Sequence, residues 1–150
     1  MNPSLVGSEM CIRDSPSTTA TTIEYLSDEI GMGESIAFGI QYISSWDGCL
    51  ICLADMPFVK PETYKAIASR VTATNIVVPK FNGIVGNPIA FGKTHFQILK
   101  ELKGDEGARK VLKNYQNLTV EIETNDPGVL YDIDTPNDLL HAASRFGDIE

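Results

Sequence analysis

The sequence predicts an α/β protein, a mixed and mostly parallel sheet flanked by helices. Three observations predict it. Cys49-Leu50-Ile51-Cys52-Leu53-Ala54 and Ile76-Val77-Val78-Pro79 are short apolar runs bounded by turn signals, the pattern of strands buried on both faces. One helical stretch lies between them, giving a βαβ unit and a parallel pairing. Leu118-Thr119-Val120-Glu121-Ile122-Glu123 instead alternates, as a strand with one solvated face does.

At 150 residues the chain is long enough to bury a core without staples. Its net charge of −8 argues against nucleic acid or an anionic membrane as partner. An anionic substrate would need a bound cation or a local basic cluster to reverse that sign. No apolar run is long enough to span a bilayer. Three cysteines, an odd number, suit a reducing compartment, so a cytoplasmic location is expected. Cys49 and Cys52 form a C-x-x-C, but in a strand they point to opposite faces at a separation of roughly 10 Å, beyond disulfide reach. They are expected to serve packing.

Residues 1–16 carry no helical or strand periodicity and are expected to be a disordered or non-native leader, leaving 17–150 as the domain. Ile23-Glu24-Tyr25-Leu26 reads as a short strand. Gly31-Met32-Gly33-Glu34-Ser35 is a turn opening a helix, where the lack of Cβ atoms lets backbone N–H groups approach a ligand. A plain turn, with Ser35 as an N-cap, explains the same residues.

The strand from Cys49 runs out at Asp55, with Met56-Pro57 beyond it. In open α/β sheets ligands bind outside the carboxyl ends of the strands, and an Asp there is placed to hold a divalent metal; capping the next turn is the alternative. Pro61 opens the next helix, with Tyr64, Ile67, Ala68 and Val71 as its buried stripe. Asn82-Gly83 signals a hairpin, and Ile89-Ala90-Phe91 returns as a strand. A helix at Thr94–Leu102 buries Phe96, Leu99 and Leu102. Gly104-Asp105-Glu106-Gly107-Ala108-Arg109 turns into another helix through Val111, Leu112 and Tyr115. That turn either orders around an anionic ligand or simply joins two helices.

Asn125-Asp126-Pro127-Gly128 is a turn, and Val129–Ile133 is expected as a last strand. Thr135 as N-cap, Pro136 at N1 and Asp138 at N3 resemble a capped helix start. This leaves Asp134 without a structural role, at a strand end as Asp55 is. His95 and His141 are expected at the surface or its boundary.

With Leu53-Ala54-Asp55-Met56-Pro57, Gly86-Asn87-Pro88, the Gly104–Arg109 segment and Asp132-Ile133-Asp134-Thr135-Pro136-Asn137-Asp138 in that order, residues 22–146 resemble the MobA-like nucleotidyltransferases. The branch they resemble most is the molybdenum cofactor cytidylyltransferases. The resemblance implies a Rossmann-like three-layer fold of the nucleotide-diphospho-sugar transferase type, with Mg²⁺ held by Asp55 and Asp134 and Asp55 as the catalytic carboxylate. It places Gly31, Met32, Gly33, Ser35 and Ala54 at the nucleotide, and Asn87, Pro88, Gly104, Asp105, Gly107 and Arg109 at the acceptor. The implied reaction is attack by the phosphate of molybdopterin on the α-phosphate of CTP, with pyrophosphate leaving. Partners that mature molybdoenzymes are implied too.

Two departures stand out. The branch usually has Gly-His-Pro where this chain has Gly86-Asn87-Pro88. Its opening strand and L-A-A-G-x-S-x-R-M-G-type phosphate loop have no match here, so a truncated member that binds nucleotide weakly is expected. The competing readings are a transferase for guanylyl, sugar-phosphate or terpenoid-precursor substrates, a non-catalytic nucleotide-binding module, and a type A glycosyltransferase using Asp132-Ile133-Asp134 as its D-x-D motif.

Overall fold

The computed structural model describes residues 4–7 and 21–147, and it divides into two compact units. Of the described residues, one unit contains those up to 47 and 93–116; the other contains 48–92 and 117–147.

In the first unit, strands β1 (Ser4–Gly7) and β2 (Thr21–Glu24) pair in parallel. β1 lies inside the stretch expected to lack pattern; the other residues of that stretch fall outside the described ones. β2 sits two residues earlier than the apolar residues suggested. Helix α1 (Met32–Ile40) starts at the Gly-x-Gly turn and packs against α3 (Phe96–Lys100). Tyr25, Phe38 and Tyr42 form a chain of rings, with centroids 4.9 and 5.2 Å apart. A 3-10 turn over Lys93–His95 leads into α3, which buries Phe96 and Leu99, with Leu102 buried just past its end. Helix α4 is a single turn, Arg109–Leu112. His95, expected near the surface, is 2% exposed, its ring edge-on to Tyr115. Its flanking apolar periodicity carried it inward; His141 is exposed as expected.

The second unit holds a five-stranded sheet. Its strands are β3 (Gly48–Ile51), β4 (Ile76–Phe81), β5 (Ile84–Val85), β6 (Ile89–Gly92) and β7 (Thr119–Glu123). The order is β3-β6-β4-β5, with β7 also paired to β4. β6 is antiparallel to both β3 and β4, while β7 is parallel to β4. The sheet is therefore mixed as expected, but its hydrogen-bonded pairs are mostly antiparallel. The expected βαβ unit is corrected in the same way: β3 and β4 run in the same direction but are not neighbours. The chain turns back at Asn82-Gly83, both with positive φ (48° and 81°), and returns as β6 between them.

β6 and the first four residues of β4 are wholly buried. Ile67 of α2 (Pro61–Ala68) packs with Val77 and Ala90, and Leu50, Val71 and Ile122 close around them. Pro61 is the first helical residue, as its fixed φ favours. Asp126, 1% exposed, ties the start of α2 to the distant turn at Pro127–Leu130. Its Oδ2 accepts from Lys60 N–H (2.8 Å) and from the Thr63 hydroxyl (2.6 Å), and its Oδ1 accepts from Gly128 N–H (2.9 Å). Gly128 has to be glycine, because a Cβ would overlap the Phe58 carbonyl. The last expected strand is absent: Pro127–Leu130 is a 3-10 turn, and an extended segment without strand pairing follows before α5 (Pro136–Phe146).

Candidate functional site

β3 ends at Ile51, so Asp55 lies in the turn beyond the strand, where Met56 N–H donates to Leu53 O at 3.2 Å. Met56 and Val59 then bury themselves with Val129, fixing this turn against the 3-10 turn before α5. One backbone hydrogen bond joins the two segments directly, from Ile133 N–H to Asp55 O at 2.8 Å. It sets Asp132 and Asp134 beside Asp55. In extended backbone, residues two apart share a face. Ile133 is accordingly half-buried while Asp132 and Asp134 both face outward.

Carboxylate oxygens of Asp55, Asp132 and Asp134 lie within 4.8 Å of one another, all exposed. Asp134 is fixed at the entry to α5. Its N–H donates to Asp138 Oδ2 (3.1 Å), as does that of Thr135 (2.8 Å), while Thr135 Oγ1 accepts from Asp138 N–H (3.2 Å). This is the capping box anticipated from Thr135, Pro136 and Asp138.

The three like charges show in the titration of Asp134, whose carboxyl is pushed above the usual range. The negative charge of Asp132 is the first cause, followed by desolvation and the charges of Asp55 and Asp138. Asp138 is pulled below its ordinary value, chiefly by hydrogen bonds from Thr135. Three convergent hard oxygen donors with unbalanced negative charge suit a cation such as Mg²⁺ or Mn²⁺.

Asp132 is the functional candidate that the metal assignment from sequence omitted. The signal was its D-x-D spacing with Asp134, which becomes a shared face only if the segment is extended. Asp55 and Asp134 do converge, though from a turn and an extended segment rather than from two strand ends.

Within the same unit, Ala54 is exposed in the turn beside Asp55. Asn87 is half-buried with its N–H on Val129 O (2.9 Å), and Pro88 is fully buried in the core. Cys49 is buried, and burial pushes its thiol up to about 12, with the nearby Cys52 adding to the shift. Cys52 is exposed, although surrounding atoms still raise its pKa by desolvation. Both are free thiols.

In the other unit, Gly31, Met32, Gly33 and Ser35 open α1 and meet the segment containing Gly104, Asp105, Gly107 and Arg109. Gly33 N–H donates to Gly104 O at 2.8 Å, and Met32 Sδ lies against Gly107. Ser35 donates both its N–H and its hydroxyl to Gly31 O, each at 3.2 Å. Asp105 and Arg109 are exposed. The two glycine-bearing segments expected to meet different substrates are thus bonded to each other.

Among the described residues, no helix is long and apolar enough to cross a membrane. Residues 9–120 match the family described as the MobA-like NTP transferase domain. The chain is 38% identical over 113 residues to the purine catabolism protein PucB of Bacillus subtilis (strain 168), covering 73% of this chain and 55% of PucB. It therefore spans about half the length of that relative. Against the molybdenum cofactor cytidylyltransferase of Escherichia coli (strain K12), identity is 25% over 143 residues, covering 95% of this chain and 72% of that one. The branch expected from the motifs is thus the more distant of these two relatives.

The crystal structure of Rv0371c from Mycobacterium tuberculosis H37Rv matches with a TM-score of 0.79 at 25% identity, covering 93% of this chain and 74% of that chain. A structure of Rv0371c in complex with manganese matches at 0.74 and 25% identity, covering 93% and 76%. With the matched residues taking in well over half of its length, the chain belongs to the MobA-like NTP transferase family.

Proposed function

We propose that this chain carries the metal-binding part of a nucleotidyltransferase, in which Asp55, Asp132 and Asp134 hold one divalent cation against the phosphates of a nucleoside triphosphate. The observation that carries the proposal is the convergence of the three carboxylates within 4.8 Å, on segments joined by the Ile133–Asp55 backbone bond. The manganese complex of Rv0371c supports a divalent ion as the occupant. When bound, such a cation neutralises phosphate charge and polarises the phosphoryl group under attack.

The protein's share is then positional. The backbone bond fixes the spacing of Asp55 from the other two carboxylates, and the capping box fixes Asp134. A phosphate monoester nucleophile is already ionised near neutral pH, so no side chain has to take a proton from it. The similarity to the cytidylyltransferase supports CTP as donor and the phosphate of molybdopterin as acceptor, with pyrophosphate leaving. Family membership favours nucleotidyl over glycosyl transfer, although Asp132 and Asp134 do share a face as a D-x-D motif requires.

The test is pyrophosphate release from CTP, GTP, ATP and UTP with Mg²⁺ or Mn²⁺ and molybdopterin as acceptor, in protein that carries the family's L-A-A-G-x-S-x-R-M-G-type loop ahead of these residues. Asp55→Asn should lower the rate by about a hundredfold or more, as the loss of transition-state charge stabilisation usually does. An unchanged rate in that variant would remove Asp55 from the site. Release with GTP alone would change the base assignment and leave the metal centre standing.

A further inference from the structure

The chain from Asp55 to Lys60 lies beside the chain from Asp126 to Ile133, the two running in opposite directions as a short ribbon. Polar ties stand at its two ends. At one end Lys60 N–H donates to Asp126 Oδ2 at 2.8 Å; at the other, Ile133 N–H donates to Asp55 O at 2.8 Å. Between these ends Gly128 passes flat against Phe58, where a Cβ would overlap the Phe58 carbonyl. Met56 and Val59 bury themselves on Val129, and the Phe58 ring meets Tyr131 edge-on with centroids 6.2 Å apart.

These contacts differ in what they fix. Apolar burial is non-directional and tolerates sliding, whereas a hydrogen bond weakens steeply once it is misaligned. The register of the ribbon therefore depends on its polar ends. The end at Ile133 is the weaker one. A bond between two neutral backbone groups closes it, and there the carboxylates of Asp55, Asp132 and Asp134 crowd within 4.8 Å and repel one another. The end at Asp126 is the stronger. Its carboxylate, 1% exposed, accepts from Lys60 N–H, from the Thr63 hydroxyl at 2.6 Å and from Gly128 N–H at 2.9 Å. Bonds to a carboxylate are roughly twice as strong as neutral ones. The local turn needs only the bond to Gly128; those from Lys60 and Thr63 reach across the ribbon.

We infer that Asp126 is a positioning residue for the cation site: from the far end of the ribbon it holds the register that brings Asp55 beside Asp132 and Asp134. The inference rests on the reading of those three carboxylates as the cation's ligands. Asp126 touches neither cation nor substrate. It acts through the backbone between Lys60 and Asp55, and its hold on that backbone opposes the repulsion that pushes the acidic end apart before a cation arrives.

Two measurements on the full chain test this. The first is Mn²⁺ affinity, read from the electron paramagnetic resonance of the free ion. Asp126→Asn, which turns one acceptor into a donor facing donors, should weaken Mn²⁺ binding about tenfold, the lower end of what losing a supporting group around a metal costs. Thr63→Val removes one donor and keeps the shape, so it should weaken binding roughly threefold in a fold that stays intact. Ile67→Val thins the core at Val77 and Ala90, away from the ribbon. It should lower the urea midpoint and leave Mn²⁺ affinity at the parent value. The second measurement is amide exchange in metal-free protein, where Asp126→Asn should speed Ile133 roughly tenfold more than Val77 of the central strand.

Parent-like Mn²⁺ affinity in both Asp126→Asn and Thr63→Val would overturn the positioning role and leave the cation site standing. An equal loss of affinity in Ile67→Val would overturn it too, because general loosening would then explain the effect. So would equal acceleration at Ile133 and Val77. A parent that binds no Mn²⁺ would overturn the cation site itself, and the role of Asp126 toward it.

Discussion

Asp134 carries the residue-scale consequences of crowding three carboxylates. Its pKa in the folded protein is raised, first by Asp132. An acid with a raised folded pKa contributes most to stability below its unfolded value, and the contribution is lost as pH rises through the folded one. Metal-free protein should therefore be stabilised by Asp134→Asn at neutral pH, and the gain should shrink as the pH falls to 3. Differential scanning fluorimetry in EDTA across that range measures it, and added Mn²⁺ should reverse the ranking of parent and variant at pH 7. Asp138 shifts in the opposite sense, lowered by Thr135. Its contribution is present above the unfolded value and lost as pH falls through the folded one.

At the scale of elements, Asp126 decides how two distant turns meet. It satisfies Lys60 N–H and the Thr63 hydroxyl at the start of α2 and Gly128 N–H in the following 3-10 turn, all from a buried carboxylate. Asp126→Ala should destabilise the protein by about 2–4 kcal/mol, since hydrogen bonds to a charged group and buried donors left without a partner both count. Urea unfolding would show it as a lower midpoint at an unchanged slope.

The sequence showed Asn125–Gly128 only as a turn, because two partners of Asp126, Lys60 and Thr63, lie more than 60 residues away. The capped start of α5, Pro61 at the start of α2 and the Asn82-Gly83 hairpin were legible for the opposite reason. Each is a local rule written in adjacent residues. The position of β6 between β3 and β4 was not legible, because a hairpin sequence states that the chain turns back and not where the returning strand docks. Asp55 and Asp134 were found through motifs. Asp132 had to wait for the observation that its segment is extended and shows both acids to one side.

For the molecule as a whole, a net charge of −8 and an exposed trio of acids make stability the natural readout of the proposed divalent cation. Ligand that binds only the folded state adds about 2.7 kcal/mol at a hundred times its Kd. Titrating Mn²⁺ into metal-free protein should raise Tm progressively, with EDTA restoring the original value. The accompanying slowing of amide exchange should concentrate at residues 55–57 and 131–138. Asp55→Asn should abolish most of both effects.

The bond from Ile133 to Asp55 spans more than half of the polypeptide. During synthesis, Asp55 leaves the ribosome long before the residues that complete its acidic neighbourhood exist. A nascent chain therefore has Asp55 alone until residues 132–134 are made, and a fragment stopping short of residue 132 lacks two of the three carboxylates that converge.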